Sequence, residues 1–199
     1  MNYLTSQLIR MAFAETLSSS KNLLHLCVIG PECTGKSTLS VMLANHYSTS
    51  WVPEYARAYL DKLNRPYEQT DLLKIAHGQI RLEEEWIRDA QRLVVFDTNL
   101  LVLKIWSEHK YGTCDPEIIR QHESRRYDHY FLTDIDIPWE DDPQREHPML
   151  REHFGNVYNQ IVRSSGIPYT LLSGTPHQRL EKAITVVDVL LSQHSSPNE

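Results

Sequence analysis

Residues 30–37 read Gly-Pro-Glu-Cys-Thr-Gly-Lys-Ser, and they follow a nearly continuous apolar run, Leu23–Ile29. A helical pattern begins at Lys36 and continues to about Tyr47. This is the full GxxxxGK[ST] spacing between a buried strand and a helix, the context that gives the motif its meaning. Gly30 and Gly35 permit turns that a side chain would forbid, so successive backbone N–H groups can point into one concavity. The helix start adds its positive end to that concavity, which suits it to hold phosphate. The candidate nucleotide-binding residues are therefore Gly30, Pro31, Glu32, Cys33, Thr34, Gly35, Lys36, Ser37 and Thr38. Lys36 would reach β- and γ-phosphates, and the Ser37 hydroxyl would ligate Mg²⁺. Cys33 either fills a loop position as a small residue or carries a thiol acidified by the helix-end field.

The rest of the chain alternates strand and helix signals. Ser50–Tyr55 reads as a second strand, Thr70 to Arg92 as a long amphipathic helix, and Leu93–Phe96 as a third strand closed by Asp97. A helix over Leu100–His109 follows, then a fourth strand at Tyr130–Leu132. Phe154–Val162 reads as a helix, Pro168–Leu172 as a fifth strand and Gln178–Leu191 as the last helix. Between the fourth strand and that final group, residues 137–152 hold three prolines and seven charged residues, the composition of a mobile lid. Alternation of this kind implies an α/β fold, a parallel sheet covered by helices on both faces. The expected organisation is an appended helix within residues 1–22, one P-loop domain over 23–192 and a polar tail at 193–199.

Ligands of such sheets lie beyond the carboxyl ends of the strands, so strand-end carboxylates are candidates for chemistry. Glu54 follows the second strand, Asp97 the third, and Asp134 and Asp136 the fourth. One acid could orient or deprotonate an acceptor hydroxyl while another supports the metal, and the spacing does not say which does which. Arg57, one turn past Glu54, either clamps an anionic substrate group or pairs with Glu54. Arg145 and Arg151, in the lid stretch, could close over a transferring phosphoryl group and neutralise its charge.

A net charge of −6 lowers the expectation of nucleic acid as a partner, because phosphate contacts usually come from a basic face. Three cysteines without a CxxC pair read as reduced thiols, and no apolar run reaches the roughly 18 residues of a membrane span. Cytoplasm is the expected location, with no membrane partner, and a homo-oligomer is left open. Ten histidines show no HxxxH or HExxH spacing, so scattered structural histidine is the reading preferred over a metal site.

Four blocks taken together carry a resemblance: GPECTGKSTL, WVPEYAR, VVFDTNLLVLKIWSE and YFLTDIDIPWEDDPQR. They resemble the nicotinamide riboside kinase domain of NadR-type NAD-salvage proteins, over roughly residues 23–190. The resemblance implies a nucleoside-kinase-like P-loop fold with five parallel strands in the order 2-3-1-4-5. It implies ATP with Mg²⁺ as donor, with GTP an open alternative, and the 5′-hydroxyl of nicotinamide riboside as acceptor. Carried onto these blocks, Glu54, Tyr55 and Arg57 would face the riboside, and Asp97 would serve metal or hydroxyl. Asp136, Trp139, Asp142 and Arg145 would form the lid and substrate wall. NadR-type proteins can also carry an adenylyltransferase domain and a helix-turn-helix. Neither is expected in these 199 residues, so the reaction is expected to stop at the mononucleotide. Another small-molecule kinase and a nucleotide-binding switch are the alternatives. The absence of a DxxG after the third strand and of an N/TKxD motif speaks against the usual GTPase switch.

Overall fold

The computed structural model describes residues 23–194; the helix expected within residues 1–22 and residues 195–199 of the expected tail lie outside them. The elements run β1 (Leu24–Ile29), α1 (Lys36–Tyr47), β2 (Ser50–Val52), α2 (Tyr55–Leu60), α3 (Gln69–Asp89) and β3 (Leu93–Asp97). They continue with α4 (Leu100–Tyr111), α5 (Pro116–Ser124), β4 (His129–Thr133), α6 (Arg151–Ser164), β5 (Tyr169–Leu172) and α7 (Pro176–His194). All four strand pairings are parallel, and the order is β2-β3-β1-β4-β5, as the resemblance implies.

Period-2 alternation in β1 divides the core between the two faces of the sheet. Cys27 and Ile29 face α4 and α6, where Phe96, Leu101, Ile105, Phe154 and Tyr158 join them. Leu24, Leu26 and Val28 face α1 and α7, against Leu39, Leu43, Ala183 and Val187. A third cluster, with Leu72, Ile75, Leu100 and Ile118, packs α2, α3, α4 and α5 together. Both faces of β1 and β3 are thus covered, which is why those strands read as unbroken apolar runs rather than as alternation.

Helix starts follow capping chemistry. Asn99 caps α4 by accepting from Leu101 N at 3.0 Å, and Asp115 caps α5 from Glu117 N at 2.8 Å. The side chains of Glu68 and Asp71 form a reciprocal capping box at the start of α3. Most element ends shift by one to three residues from the sequence expectation, and three differences have a clear local cause or consequence. The second strand stops at Val52, because Pro53 has no N–H to extend the ladder, and Tyr55 opens the six-residue helix α2. Helix α5 has a signal in Asp115 followed by Pro116 at the first helical position. The third strand runs one residue further, so Asp97 is its last member.

Candidate active site

The loop after β1 is shaped by three backbone exceptions: Gly30 at φ 145°, Cys33 at φ 54° and Gly35 at φ 78°. A side chain on Gly30 would collide with Thr133, whose hydroxyl lies 2.7 Å from that of Thr34. Thr34 also donates to Pro31 O at 2.8 Å. Beneath the loop, the fully buried Arg179 donates to Thr34 O at 2.6 Å and to the carbonyls of Gly174 and Asp134, and pairs with Asp136. The guanidinium thereby ties three loops at the carboxyl edge of the sheet.

Lys36 lies in this cradle and donates to Pro31 O at 2.6 Å. Burial lowers its pKa, while Glu54, Asp97 and Glu32 oppose the shift. Asp97, only 2% exposed, is raised by burial and drawn back by a hydrogen bond from Ser37 and by the charge of Lys36. Its Oδ1 is buried without a hydrogen-bond partner. The next residue, Thr98, sits at φ 70°, a costly conformation for a β-branched residue and one that clusters at functional sites. Glu54 occupies the cap position of α2 without capping it. Burial, augmented by Asp97 and Glu32 and countered by Lys36 and Arg57, pushes its carboxyl up to about 7.

The lid lies across the loop. Arg145 donates to Cys33 Sγ at 3.3 Å and to Glu140 O, and Glu140 N donates to the same sulfur at 3.1 Å. Arg151, at the start of α6, donates to Cys33 O at 3.1 Å and Ile137 O at 2.7 Å. Trp139 lies 5.9 Å from each of the two guanidinium carbons. The N–H groups of Glu146 and His147 reach Glu32 Oε2 at 3.1 and 3.3 Å. Arg57 pairs with Asp142 at 2.8 Å, and Gln144 bonds Arg57 O and Asp61, so α2 is fastened to the lid as well.

Three cavities meet this loop. One of about 130 Å³ is lined by the loop together with Glu54, Arg57, Arg145 and Tyr158. A second, of about 300 Å³, shares Glu32, Trp106 and Gln144 with the first and adds Tyr67, Phe154 and Asp61. A third, of about 210 Å³, lies on the other flank between Ile137, Gly35, Leu39, Pro176 and Arg179. The expected residues Gly30, Glu32 to Thr38, Glu54, Arg57 and Arg145 thus come together, with Asp97 close enough to act on Lys36 and Glu54.

Four expected substrate contacts line none of these cavities: Trp139 lies beside the two lid arginines, Asp142 pairs with Arg57, and two more are engaged elsewhere. Tyr55 packs against Gly78 of α3, outside these cavities, and Asp136 pairs with Arg179 and accepts from Gly174 N at 2.5 Å. Asp134 caps Ile135 N. Among the described residues no group of three or more His, Cys, Asp or Glu side chains could hold a metal ion.

The sequence matches the AAA_28 family, described as an AAA domain, over residues 25–179. The chain belongs to that family. It is 25% identical over 152 residues to the trifunctional NAD biosynthesis/regulator protein NadR of Escherichia coli, and equally to that of Salmonella typhimurium. Those matches cover 72% of this chain but only 37% of either relative's length. A NadR crystal structure in complex with NR superposes with a TM-score of 0.71 at 20% identity, covering 95% of this chain and 59% of that one. A thymidylate kinase from Ehrlichia chaffeensis superposes at 0.59 and 16% identity over 83% of this chain and 99% of its own. The fold is therefore that of the P-loop nucleoside and nucleotide kinases, and the family resemblance is to NadR. No described helix is long and apolar enough to cross a membrane.

Proposed function

We propose that this protein transfers the γ-phosphoryl group of ATP to the 5′-hydroxyl of nicotinamide riboside, giving the mononucleotide and ADP. The observation that carries the reading is the junction of two cavities at Glu32, Trp106 and Gln144: a phosphate cradle that Glu54 lines on one side and an aromatic, acidic chamber on the other. The acceptor's ring is a pyridinium cation, and cations are favoured over aromatic faces and beside carboxylates. The chamber offers Tyr67 and Trp106, tilted 33° with centroids 6.4 Å apart, together with Phe154, Glu32, Asp61 and Glu146. Two cations already stand at its edge: Lys110 Nζ lies 3.5 Å from the Tyr67 ring centroid and 3.6 Å from Glu146 Oε1, so the acceptor's ring would have to displace it, and Arg65 is held by both oxygens of Asp71. The NadR structure bound to NR supports the same acceptor.

In this reading the backbone of residues 30–35 and Lys36 hold the nucleotide phosphates, and the base lies in the cavity between Ile137 and Pro176. Glu54, with a carboxyl near neutrality, takes the proton of the 5′-hydroxyl as the phosphoryl group moves. Arg145 and Arg151 neutralise charge on the transferring oxygens and, with the lid, exclude water. The residues fit a magnesium ion: hard oxygen donors are offered by Ser37 and by Asp97, whose Oδ1 is buried and unpartnered. Magnesium bound there with the nucleotide would neutralise charge on the β- and γ-phosphates.

The test is chromatography of products from ATP with nicotinamide riboside, uridine or adenosine as acceptor. We expect mononucleotide and ADP, with kcat/KM for the cationic riboside at least about tenfold above the neutral nucleosides. Efficient use of a neutral nucleoside instead would replace the acceptor. ADP formation with no phosphorylated acceptor would favour a nucleotide-binding switch.

A further inference from the structure

Helix α2 begins without a cap of its own. The Glu54 side chain makes no capping bond, so the first N–H groups of the helix need other acceptors. Tyr55 N–H is met by Gln79 Oε1 of α3 at 2.8 Å. Gln79 is only 4% exposed, and it lies in the middle of a helix 21 residues long, so its position is fixed by the core. The neighbouring residue is Gly78, and any side chain there would overlap the Tyr55 ring. Backbone and ring of Tyr55 are therefore both seated on the same two residues of α3.

Glu83, one turn along from Gln79, is buried and takes Arg125 Nε at 2.9 Å on one oxygen, while its other oxygen and Gln79 Nε2 are buried without a hydrogen-bond partner. The oxygen is the amide atom of Gln79 that is bonded, and it accepts from Tyr55 N–H. The bond from Tyr55 N–H to Gln79 thus lies at the peptide next to Glu54.

We propose that Gly78 and Gln79 are positioning residues that latch Tyr55 and thereby aim the Glu54 carboxyl into the phosphate cavity. The latch gives Tyr55 a role without substrate contact, and it rests on the reading of Glu54 as the group that takes the acceptor's proton. Misplacing such a group by about 1 Å costs on the order of 10²-fold in rate, while the phosphate cradle on the other side of the cavity keeps its own bonds.

The test combines amide exchange with a double-mutant cycle. Gln79→Met keeps the side chain's length and removes the acceptor. Exchange at the Tyr55 amide should accelerate at least about tenfold while core amides of β1 and β3 keep their protection. Turnover should fall about 10–100-fold with KM for ATP within about twofold. In a Glu54→Gln background the same change should cost less than about twofold, since the group it aims is already gone. Gly78→Ala, which presses on the ring and spares the hydrogen bond, should give the same signature in turnover. An unchanged Tyr55 exchange rate, or an equal loss in both backgrounds, overturns the latch. If the native protein phosphorylates no riboside, the functional reading fails, and the exchange experiment still decides the latch.

Discussion

Replacing Glu54 by Gln removes a charge that the fold holds against solvation, so activity and stability should move in opposite directions. Burial raises this carboxyl from the ordinary 4.5 to about 7. That rise corresponds to on the order of 3 kcal/mol of folding free energy lost when the group is ionised. The sign follows from linkage. The folded state binds this proton more tightly than the unfolded chain, so stability falls as pH rises from about 4.5 and the penalty is complete above about 7. A Gln amide at the same place costs about 1–2 kcal/mol to bury, leaving a net gain of about 1–2 kcal/mol for Glu54→Gln. In a protein of this size that is a rise in Tm of about 3–6 °C at pH 8, reversed to a fall of similar size near pH 4.5, where the native carboxyl is neutral and only the amide cost remains.

The same substitution should lower kcat/KM for the acceptor by about 10²–10⁴-fold. In the native enzyme the rate should bend near pH 7, reaching about one tenth of its plateau at pH 6, and the variant should lack the bend. Any titration of the nucleotide itself occurs in both proteins and is removed by comparison. Calorimetry at two pH values and a pH–rate profile suffice. Turnover within about threefold of native, or a lower Tm at pH 8, would refute the reasoning.

The loop that walls the aromatic chamber hangs on Asp71, which is fully buried and receives Arg65, Lys74, the Tyr59 hydroxyl and Glu68 N. Hydrogen bonding from Arg65, the largest cause, holds its carboxyl well below the usual range, so its contribution is present above about pH 4 and lost as pH falls further. Asp71→Asn should therefore cost about 2 kcal/mol at pH 7 in denaturant unfolding, with the difference starting to shrink below about pH 4 and still largely present at pH 3. The lid predicts a different signal: amides of residues 138–145 should exchange at least about tenfold more slowly with a non-hydrolysable ATP analogue bound. Equal exchange with and without the analogue would deny Arg145 and Arg151 a closing role.

The parts of the fold that the sequence disclosed are those written in local pattern. Leu24–Ile29 and Leu93–Asp97 are apolar because both faces of the sheet are covered, and the glycine spacing of the phosphate loop has few other uses. The parts that stayed hidden depend on distant partners. Helix α2 is six residues long and has no periodicity to read; its start is secured by Gln79. Arg179 looks like an exposed position on a terminal helix, yet it is 1% exposed because acceptors from residues 34, 134, 136 and 174 converge on it. Tyr55 and Asp136 carry the right residue types at the right spacing and are turned away by that same packing. Trp106 lay in a recognised block, and its place between two cavities became visible only once α4 was set against the lid.

Glu54 and Asp97 are equivalent in sequence, each at a strand end beside the phosphate loop, and their surroundings separate them. Asp97 lies beside Ser37, the hydroxyl that the motif reserves for the metal and whose influence lowers its carboxyl against burial, and it keeps one oxygen buried without a hydrogen-bond partner. A carboxylate engaged in that way is poorly placed to receive a proton from a hydroxyl in the neighbouring chamber. Glu54 has no hydrogen-bond partner among the described residues and lines the cavity that opens on the acceptor side. On the proposed reading, then, Asp97 supports the metal and Glu54 the proton. Asp97→Asn, nearly isosteric, should raise the Mg²⁺ concentration for half-maximal rate at least about tenfold, the usual scale for a lost ligand contact. Glu54→Gln should leave that concentration within about twofold while lowering the maximal rate. Magnesium titrations of both variants at saturating ATP measure the difference directly. If Glu54→Gln shifts the magnesium requirement and Asp97→Asn only the rate, the two roles are exchanged, and Asp97 beside Ser37 would have to serve the acceptor instead.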